Sequence, residues 1–281
     1  MRLISYRTGS GAAAGILRGD RVLDAGEALG LDSTIGMRQL LADGRLAELA
    51  GASGDGRPLA ELELLAPVPD PAKIVCIGLN YRSHAAEAGI DPPESPTFFA
   101  KFANALAADG AEVALPAKSQ KVDFEAELAF VVGRRATAVD ETEALDHIAG
   151  YTLLNDLSAR DLQFATPQWM PGKVFDGSAP CGPALVTADE AGAHDAIEIA
   201  LTLNGEQMQA ASSSDLIFSP PALLARLSAL MTLEPGDIVA TGTPAGVGGA
   251  REPRVWLKPG DELVVSSPTL GELRTIIGPR A

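Results

Sequence analysis

The chain has 281 residues, with 37 Asp and Glu against 22 Lys and Arg and a formal charge of −15, so its surface repels phosphate backbones and nucleic acid is not an expected partner. Two cysteines and three histidines are too few for a disulfide framework, a Cys-rich zinc module or a polyhistidine metal site. A hydrophobic fraction of 46% is enough for a sizeable core and excludes disorder as a description of the whole chain.

No apolar run approaches the roughly 18 residues of a membrane span, and residues 1–7 carry charge without the apolar stretch of a signal peptide. No membrane partner and a cytoplasmic location are expected. Residues 1–66 read as a small unit. Segments 2–7 and 21–25 are predicted strands around a turn at 9–11, and 62–65 is another. Segment 34–50 is a predicted helix, since Met37, Leu40, Leu41, Leu46 and Leu49 recur near the helical period, with Gly44 interrupting. Pro67, Pro69 and Pro71 alternate and forbid helix, which places a domain boundary between 1–66 and 67–281.

The second unit is richer in strands, predicted at 73–78, 97–102, 126–132, 150–155, 197–203, 237–241, 262–266 and 272–277. Asn204-Gly205 after the fifth of these is a hairpin signal. One clear helix is predicted at 220–233, with Ser219 as N-cap, Pro220 at its first position and a Leu/Met stripe. Frequent strands with few helices indicate an α+β, β-rich fold rather than a doubly wound sheet.

The most informative stretch is Asp123-Phe124-Glu125-Ala126-Glu127-Leu128-Ala129-Phe130-Val131-Val132. In a strand Glu125 and Glu127 share one face, about 6–7 Å apart. Ala126, Leu128, Phe130 and Val132 make the other face apolar and set the register. Charged residues ordinarily face solvent, yet Ala129 and Val131 continue the glutamate face with apolar residues, and Asp156 closes a second buried run. Three carboxylates without a soft partner suit Mg²⁺ or Mn²⁺ and do not suit zinc.

His84 and Glu87 are three apart, so in a helical turn they touch. That spacing serves a surface ion pair, or a general base whose imidazole is oriented by the carboxylate. His147 and His194 sit among acids and read as surface residues. Lys173, before a Gly/Pro-rich apolar stretch, is either a loop lysine or a partly buried cation facing an oxyanion. Segment 241–248 is Gly-rich but lacks P-loop and dinucleotide spacing; it is a turn, or an anion site built from amides and hydroxyls.

Taken in order, these motifs resemble the fumarylacetoacetate hydrolase family. The matching blocks are Ile77-Gly78-Leu79-Asn80-Tyr81 with His84, Pro96-Thr97-Phe98-Phe99, Asp123 to Leu128, Asn155-Asp156 with Ser158-Ala159-Arg160-Asp161, Gly172-Lys173, Phe175-Asp176-Gly177, Asn204-Gly205-Glu206, Ser214-Asp215, and Gly242 to Gly248. The resemblance covers about residues 68–278 and points to the acylpyruvate hydrolase and 2-hydroxyhepta-2,4-diene-1,7-dioate isomerase-like branch. It implies a mixed β-roll catalytic domain with a small α/β N-terminal domain, in a homodimer. It implies one Mg²⁺ or Mn²⁺ per subunit on Glu125, Glu127 and Asp156, a catalytic His84–Glu87 pair with Lys173, and substrate contacts from Thr243 and Gln163. Arg82, beside the pair, is grouped with the substrate-binding residues without a specific role. The implied reaction is metal-dependent hydrolysis of a C–C bond in a 2,4-dioxo acid, giving pyruvate and a carboxylic acid. Oxaloacetate decarboxylation, the dioate isomerisation and non-catalytic binding of a 2-oxo acid use the same site. Three departures from the family pattern, Phe102 after Lys101, Val174 and Cys181, bear on the pocket rather than on the metal ligands.

Overall fold

The computed structural model describes residues 1–31 and 34–281. A main sheet of twelve strands and a second of five carry the structure. The main sheet runs Arg57–Pro58, Arg21–Asp24, Gly11–Arg18, Arg2–Thr8, Ala179–Thr187, Ile148–Asn155, Ala126–Val132, Ile238–Ala240, Ile74–Gly78, Thr97–Lys101, with Leu64–Leu65 also paired to Arg2–Thr8 and Leu106–Ala107 to Ala179–Thr187. Most pairs are antiparallel; Ile238–Ala240 lies parallel to Ile74–Gly78, so the sheet is mixed. The second sheet runs Glu206–Ser212, Glu198–Leu203, Glu262–Ser267, Gly271–Arg280, Ala111–Leu115. This is the α+β, β-rich architecture that strand frequency indicated.

The proline-rich connection does not divide the main sheet. Arg2–Thr8 pairs with Ala179–Thr187 through Arg2↔Val186 and Leu3↔Leu185. One apolar cluster joins Leu3, Ala14, Ile16 and Leu23 to Ala129, Val131, Leu154 and Ile238. Residues 1–66 therefore extend the sheet and share an apolar cluster with Ala129 and Val131, which lie on the Glu127 face of Ala126–Val132. The other face, Ala126, Leu128, Phe130 and Val132, packs with Leu201, Leu263, Val265 and Leu273 of the second sheet. Every residue of Ala126–Val132 is buried. A solvated glutamate face is excluded.

The helix predicted at 34–50 is instead two short ones, Met37–Ala42 and Leu46–Ala50. Gly44 between them has φ of 66°, which ends the first helix and starts a new direction. The helix predicted at 220–233 is Pro220–Leu230, with the Ser219 hydroxyl capping the Ala222 N–H. Among the described residues no helix is long and apolar enough to cross a membrane.

Candidate active site

Antiparallel pairing builds the carboxylate group. Ala126 faces Asn155 and Glu127 faces Leu154. One step further, the Asp156 N–H donates to the Glu125 carbonyl at 2.9 Å. Glu125 and Asp156 are thus cross-strand neighbours, with Glu127 two residues along on the same face. Each offers a carboxylate oxygen, and these lie within 4.8 Å of one another. All three residues are buried.

Three cations meet them. Lys173 Nζ lies 2.8 Å from both Glu125 Oε2 and Asp156 Oδ2. Lys101 Nζ lies 2.6 Å from Asp156 Oδ1, both side chains fully buried. Arg160 holds Glu125 Oε1 at 2.6 Å and Asp123 Oδ2 at 2.8 Å. Burial would push the Glu125 carboxyl up, but Lys173 and Arg160 outweigh it and bring it down to about 2. Glu127 has no such partner among the described residues: its Oε2 accepts the Gly242 N–H at 2.9 Å. Burial first, then Asp156 and Glu125, push its carboxyl well above the ordinary range. A hard divalent cation fits this donor set: three oxygen ligands, no sulfur or imidazole, and one buried carboxylate whose repulsion such a charge would discharge.

The Gly-rich segment 242–249 is the clamp of the site. Its amide groups bind the chain's own carboxylates rather than a free anion. Gly242 N–H holds Glu127, Gly246 N–H holds Glu87 Oε1 at 2.8 Å, and Gly248 and Gly249 N–H hold Asp123 at 2.7 and 2.9 Å. Gly242 and Gly246 have φ of 98° and 104°. A Cβ would sit 2.9 Å from the Ile77 carbonyl at the first and 2.2 Å from the Met208 carbonyl at the second. Only glycine brings the backbone this close.

His84 and Glu87 lie on the short helix Arg82–Glu87. His84 Nδ1 is 2.9 Å from Glu87 Oε2, and the other Glu87 oxygen is fixed by Gly246. His84 lines the same cavity as Glu125, Glu127, Lys173, Gln163 and Thr243, a space of about 540 Å³. Phe99 and Trp169, in edge contact with ring centroids 5.9 Å apart, line it too.

The orientation of the Thr243 hydroxyl is set by a buried glutamine. Gln209 Oε1 accepts the Ala126 N–H at 2.9 Å, and Nε2 donates to the Pro244 carbonyl at 2.9 Å. A backbone N–H can only donate and a carbonyl can only accept, so the amide cannot be flipped. Nε2 also donates to Thr243 Oγ1 at 2.8 Å. The threonine oxygen is therefore an acceptor toward Gln209, and its own proton is left for an occupant of the cavity.

Two expected substrate contacts need restating. Gln163 does line the cavity, but its Oε1 accepts from Arg160 Nη1 at 3.0 Å. Arg82 does not line it; its guanidinium donates to the Leu216 and Asp215 carbonyls at 2.6 and 3.3 Å. Lys101, Asp123, Arg160 and Gln209 carry the site without having been given a role from sequence, although Asp123 and Arg160 fall within the matching blocks. Lys101 had a visible signal, a lysine closing the apolar run Phe98-Phe99-Ala100. Gln209 had none, because its partners lie 83 and 34 residues away.

Comparison with known proteins agrees with this geometry. A family profile, "Fumarylacetoacetate (FAA) hydrolase C-terminal", matches residues 73–277. The mitochondrial oxaloacetate tautomerase FAHD2A of Bos taurus is 43% identical over 216 residues, 76% of this chain and 69% of that one. A crystal structure from Mycobacterium smegmatis, provisionally assigned as an HpcE protein, superimposes with a TM-score of 0.91 at 36% identity, covering 100% of both chains. Maleylpyruvate hydrolase from Sphingobium sp. SYK-6, in complex with manganese(II) and pyruvate, does so with a TM-score of 0.81 at 30% identity, again covering 100% of both. With the profile spanning most of the sequence and these relatives covering it, the chain belongs to the fumarylacetoacetate hydrolase family.

Proposed function

We propose that this family member is a Mg²⁺- or Mn²⁺-dependent hydrolase that cleaves a C–C bond in a 2,4-dioxo acid, releasing pyruvate and a carboxylic acid. The observation that carries the reading is one cavity lined both by Glu125 and Glu127, with Asp156 grouped behind them, and by His84, held by Glu87, with room for an acyl group beyond a pyruvyl end. A divalent cation on the three carboxylates supplies Lewis-acid polarisation of the 2-oxo acid end. Glu87 orients the imidazole through Nδ1, and His84 takes a proton from water with its other nitrogen. The hydroxide adds to the distal carbonyl carbon. The bond between that carbon and C3 breaks, its electron pair stays on C3, and C3 takes up a proton to complete pyruvate. Thr243 gives its hydroxyl proton to the substrate carboxylate. Lys173 spends two N–H donors on Glu125 and Asp156 and keeps a third for developing negative charge.

The test is a panel of acylpyruvates, fumarylpyruvate and oxaloacetate with Mg²⁺ or Mn²⁺, read as pyruvate release. Turnover of an acylpyruvate is the expected result, and its absence across the panel refutes the reading. His84→Ala should lower kcat by orders of magnitude while titration calorimetry shows cation affinity nearly unchanged. Loss of cation binding in that variant removes His84 from the role of base.

The similarity to an oxaloacetate tautomerase supports a second reading. There the His84–Glu87 pair would shuttle a proton between C3 and the 2-oxo oxygen, with no attacking water and no C–C bond cleaved. Acceleration of keto–enol exchange of oxaloacetate, followed by enol absorbance, together with no pyruvate from acylpyruvates, would select it. The homodimer implied by the family resemblance belongs to the same proposal, and a twofold mass in sedimentation is its test.

A further inference from the structure

We infer that Lys101 sets the ion selectivity of the carboxylate group. By holding one oxygen of Asp156 away from the cavity it limits that residue to a single ligand atom, so the group takes a small octahedral cation of the Mg²⁺ class and discriminates against Ca²⁺. This rests on the divalent-cation part of the reading above and names the residue that decides which cation is held.

Each carboxylate has one oxygen tied to a donor of the chain itself. Arg160 Nη1 lies 2.6 Å from Glu125 Oε1, the Gly242 N–H holds Glu127 Oε2 at 2.9 Å, and Lys101 Nζ lies 2.6 Å from Asp156 Oδ1. The other oxygens of Glu125 and Asp156 share Lys173, which lines the cavity. Lys101 lies outside that lining, so Oδ2 is the cavity-side oxygen of Asp156 and Oδ1 the interior one. Mg²⁺ keeps a near-ideal octahedron and is satisfied by single carboxylate oxygens together with water and substrate oxygens. Ca²⁺ takes roughly six to eight oxygens and gains from carboxylates that give both of theirs. A group that offers one oxygen per residue suits the first ion and leaves the second under-coordinated.

Charge balance does not explain Lys101. Lys173 already pairs with Asp156, and a further buried ammonium beside a cation site repels the cation. Lys101 closes the edge strand Thr97–Lys101, opposite Ile74. Its side chain is fully buried, as is that of Asp156. Asp156 Oδ1 is its one hydrogen-bond partner among the described residues. Arg160 keeps Asp123 if it lets Glu125 go, whereas Lys101 would be left as an unpaired charge in the interior, a costly state. An ion that needs Oδ1 must meet that cost, and an ion that needs only Oδ2 does not. Lys101 is thus a positioning residue that acts on the cation through Asp156.

The experiment is calorimetry of Mg²⁺ and of Ca²⁺ on chelator-stripped protein without substrate, read as the ratio of the two dissociation constants. The wild type is expected to bind Ca²⁺ no more tightly than Mg²⁺. Lys101→Met frees Asp156 Oδ1 and removes a positive charge, so both ions should bind more tightly. The ratio should nevertheless move about tenfold toward Ca²⁺, because the number of ligand oxygens tunes such affinities over decades. Lys101→Gln keeps a neutral donor for Oδ1 and should fall between the two, and it reads the ratio if the Met variant does not fold. A lysine with a merely structural role would weaken both ions alike on removal and leave the ratio where it was. That outcome, or tighter binding of Ca²⁺ than of Mg²⁺ by the wild type, overturns the inference. If the wild type binds neither ion, the cation reading falls and the inference with it. Failure of the acylpyruvate panel with the ratio shifting as expected sinks the proposed reaction and leaves the selectivity standing. Thermal unfolding of each variant, matched to wild type, shows that the ratios come from folded protein.

Discussion

Gln209 sits between the strand bearing Glu125 and Glu127 and the loop bearing Thr243, and it decides which partner the threonine hydroxyl has left to find. Gln209→Glu conserves shape and still accepts from the Ala126 N–H, but it turns a donor into an acceptor. The Thr243 proton would then go to the introduced carboxylate. A hydrogen bond to a charged group is worth about 1.5–3 kcal/mol, so KM for a 2-oxo acid substrate should rise by roughly tenfold to a hundredfold, with kcat moving less. Thr243→Val should show a similar loss, and the double variant should lose little more than either single one. Additive losses in that steady-state cycle would mean that Gln209 acts elsewhere. At this scale the residue types of the three candidate metal ligands and of the His84–Glu87 pair are legible in spacing and in family resemblance. Gln209 and Lys101 are not, and Arg160, though inside a matching block, has no legible role, because their partners come from distant parts of the chain.

Elements follow local chemistry where a strand or helix has an ordinary pattern, and escape it where context overrides the pattern. Ala179–Thr187 contains Pro180 and Pro183, which argue against a strand. It is nevertheless central in the main sheet, because its pairing with Ile148–Asn155 skips between Tyr151 and Leu153 and so avoids a full ladder. In the first hairpin, Tyr6 donates its hydroxyl to Asp24, whose other oxygen caps the Glu27 N–H. Burial, then this hydrogen bond, then the Asp24 charge push the Tyr6 phenol well above its ordinary value near 10. A raised folded-state pKa means the stabilisation is complete below about pH 10 and is lost as pH rises from there toward the folded value. Tyr81 and Tyr151 are raised by burial in the same direction. Tyr6→Phe should therefore flatten the alkaline decline by one proton's share, about 1.4 kcal/mol per pH unit. Urea unfolding at pH values on either side of about 10 reads it, and an unchanged slope would mean that the phenol is free to ionise in the folded state.

For the whole molecule, four buried acids are grouped at one end of the paired strands Ala126–Val132 and Ile148–Asn155: Asp123, Glu125, Glu127 and Asp156. Three internal cations compensate them in part, and Glu127 is left uncompensated. Cation binding to the native state alone should raise stability by about 2.7 kcal/mol at a hundredfold excess over Kd, roughly 5–10 °C in Tm for a chain of this size. Glu127→Gln should abolish most of that response to Mg²⁺ or Mn²⁺. A full response in the variant would take Glu127 out of the ligand set.

Strand frequency, the alternation around Glu125 and Glu127, and the proline and glycine breaks are local properties, and local physics writes them directly into the sequence. They determined the β-rich class, the register of the strand beside Glu125 and Glu127 and the residue types of the candidate metal site. Tertiary structure alone decided that the glutamate face is buried, since the groups that meet it, Arg160, Lys173 and the Gly242 amide, arrive from distant parts of the chain. It also decided that the Gly-rich loop binds internal carboxylates and that Arg82 turns from the cavity. Each of these depends on which distant charge or surface arrives opposite, and no local pattern encodes that.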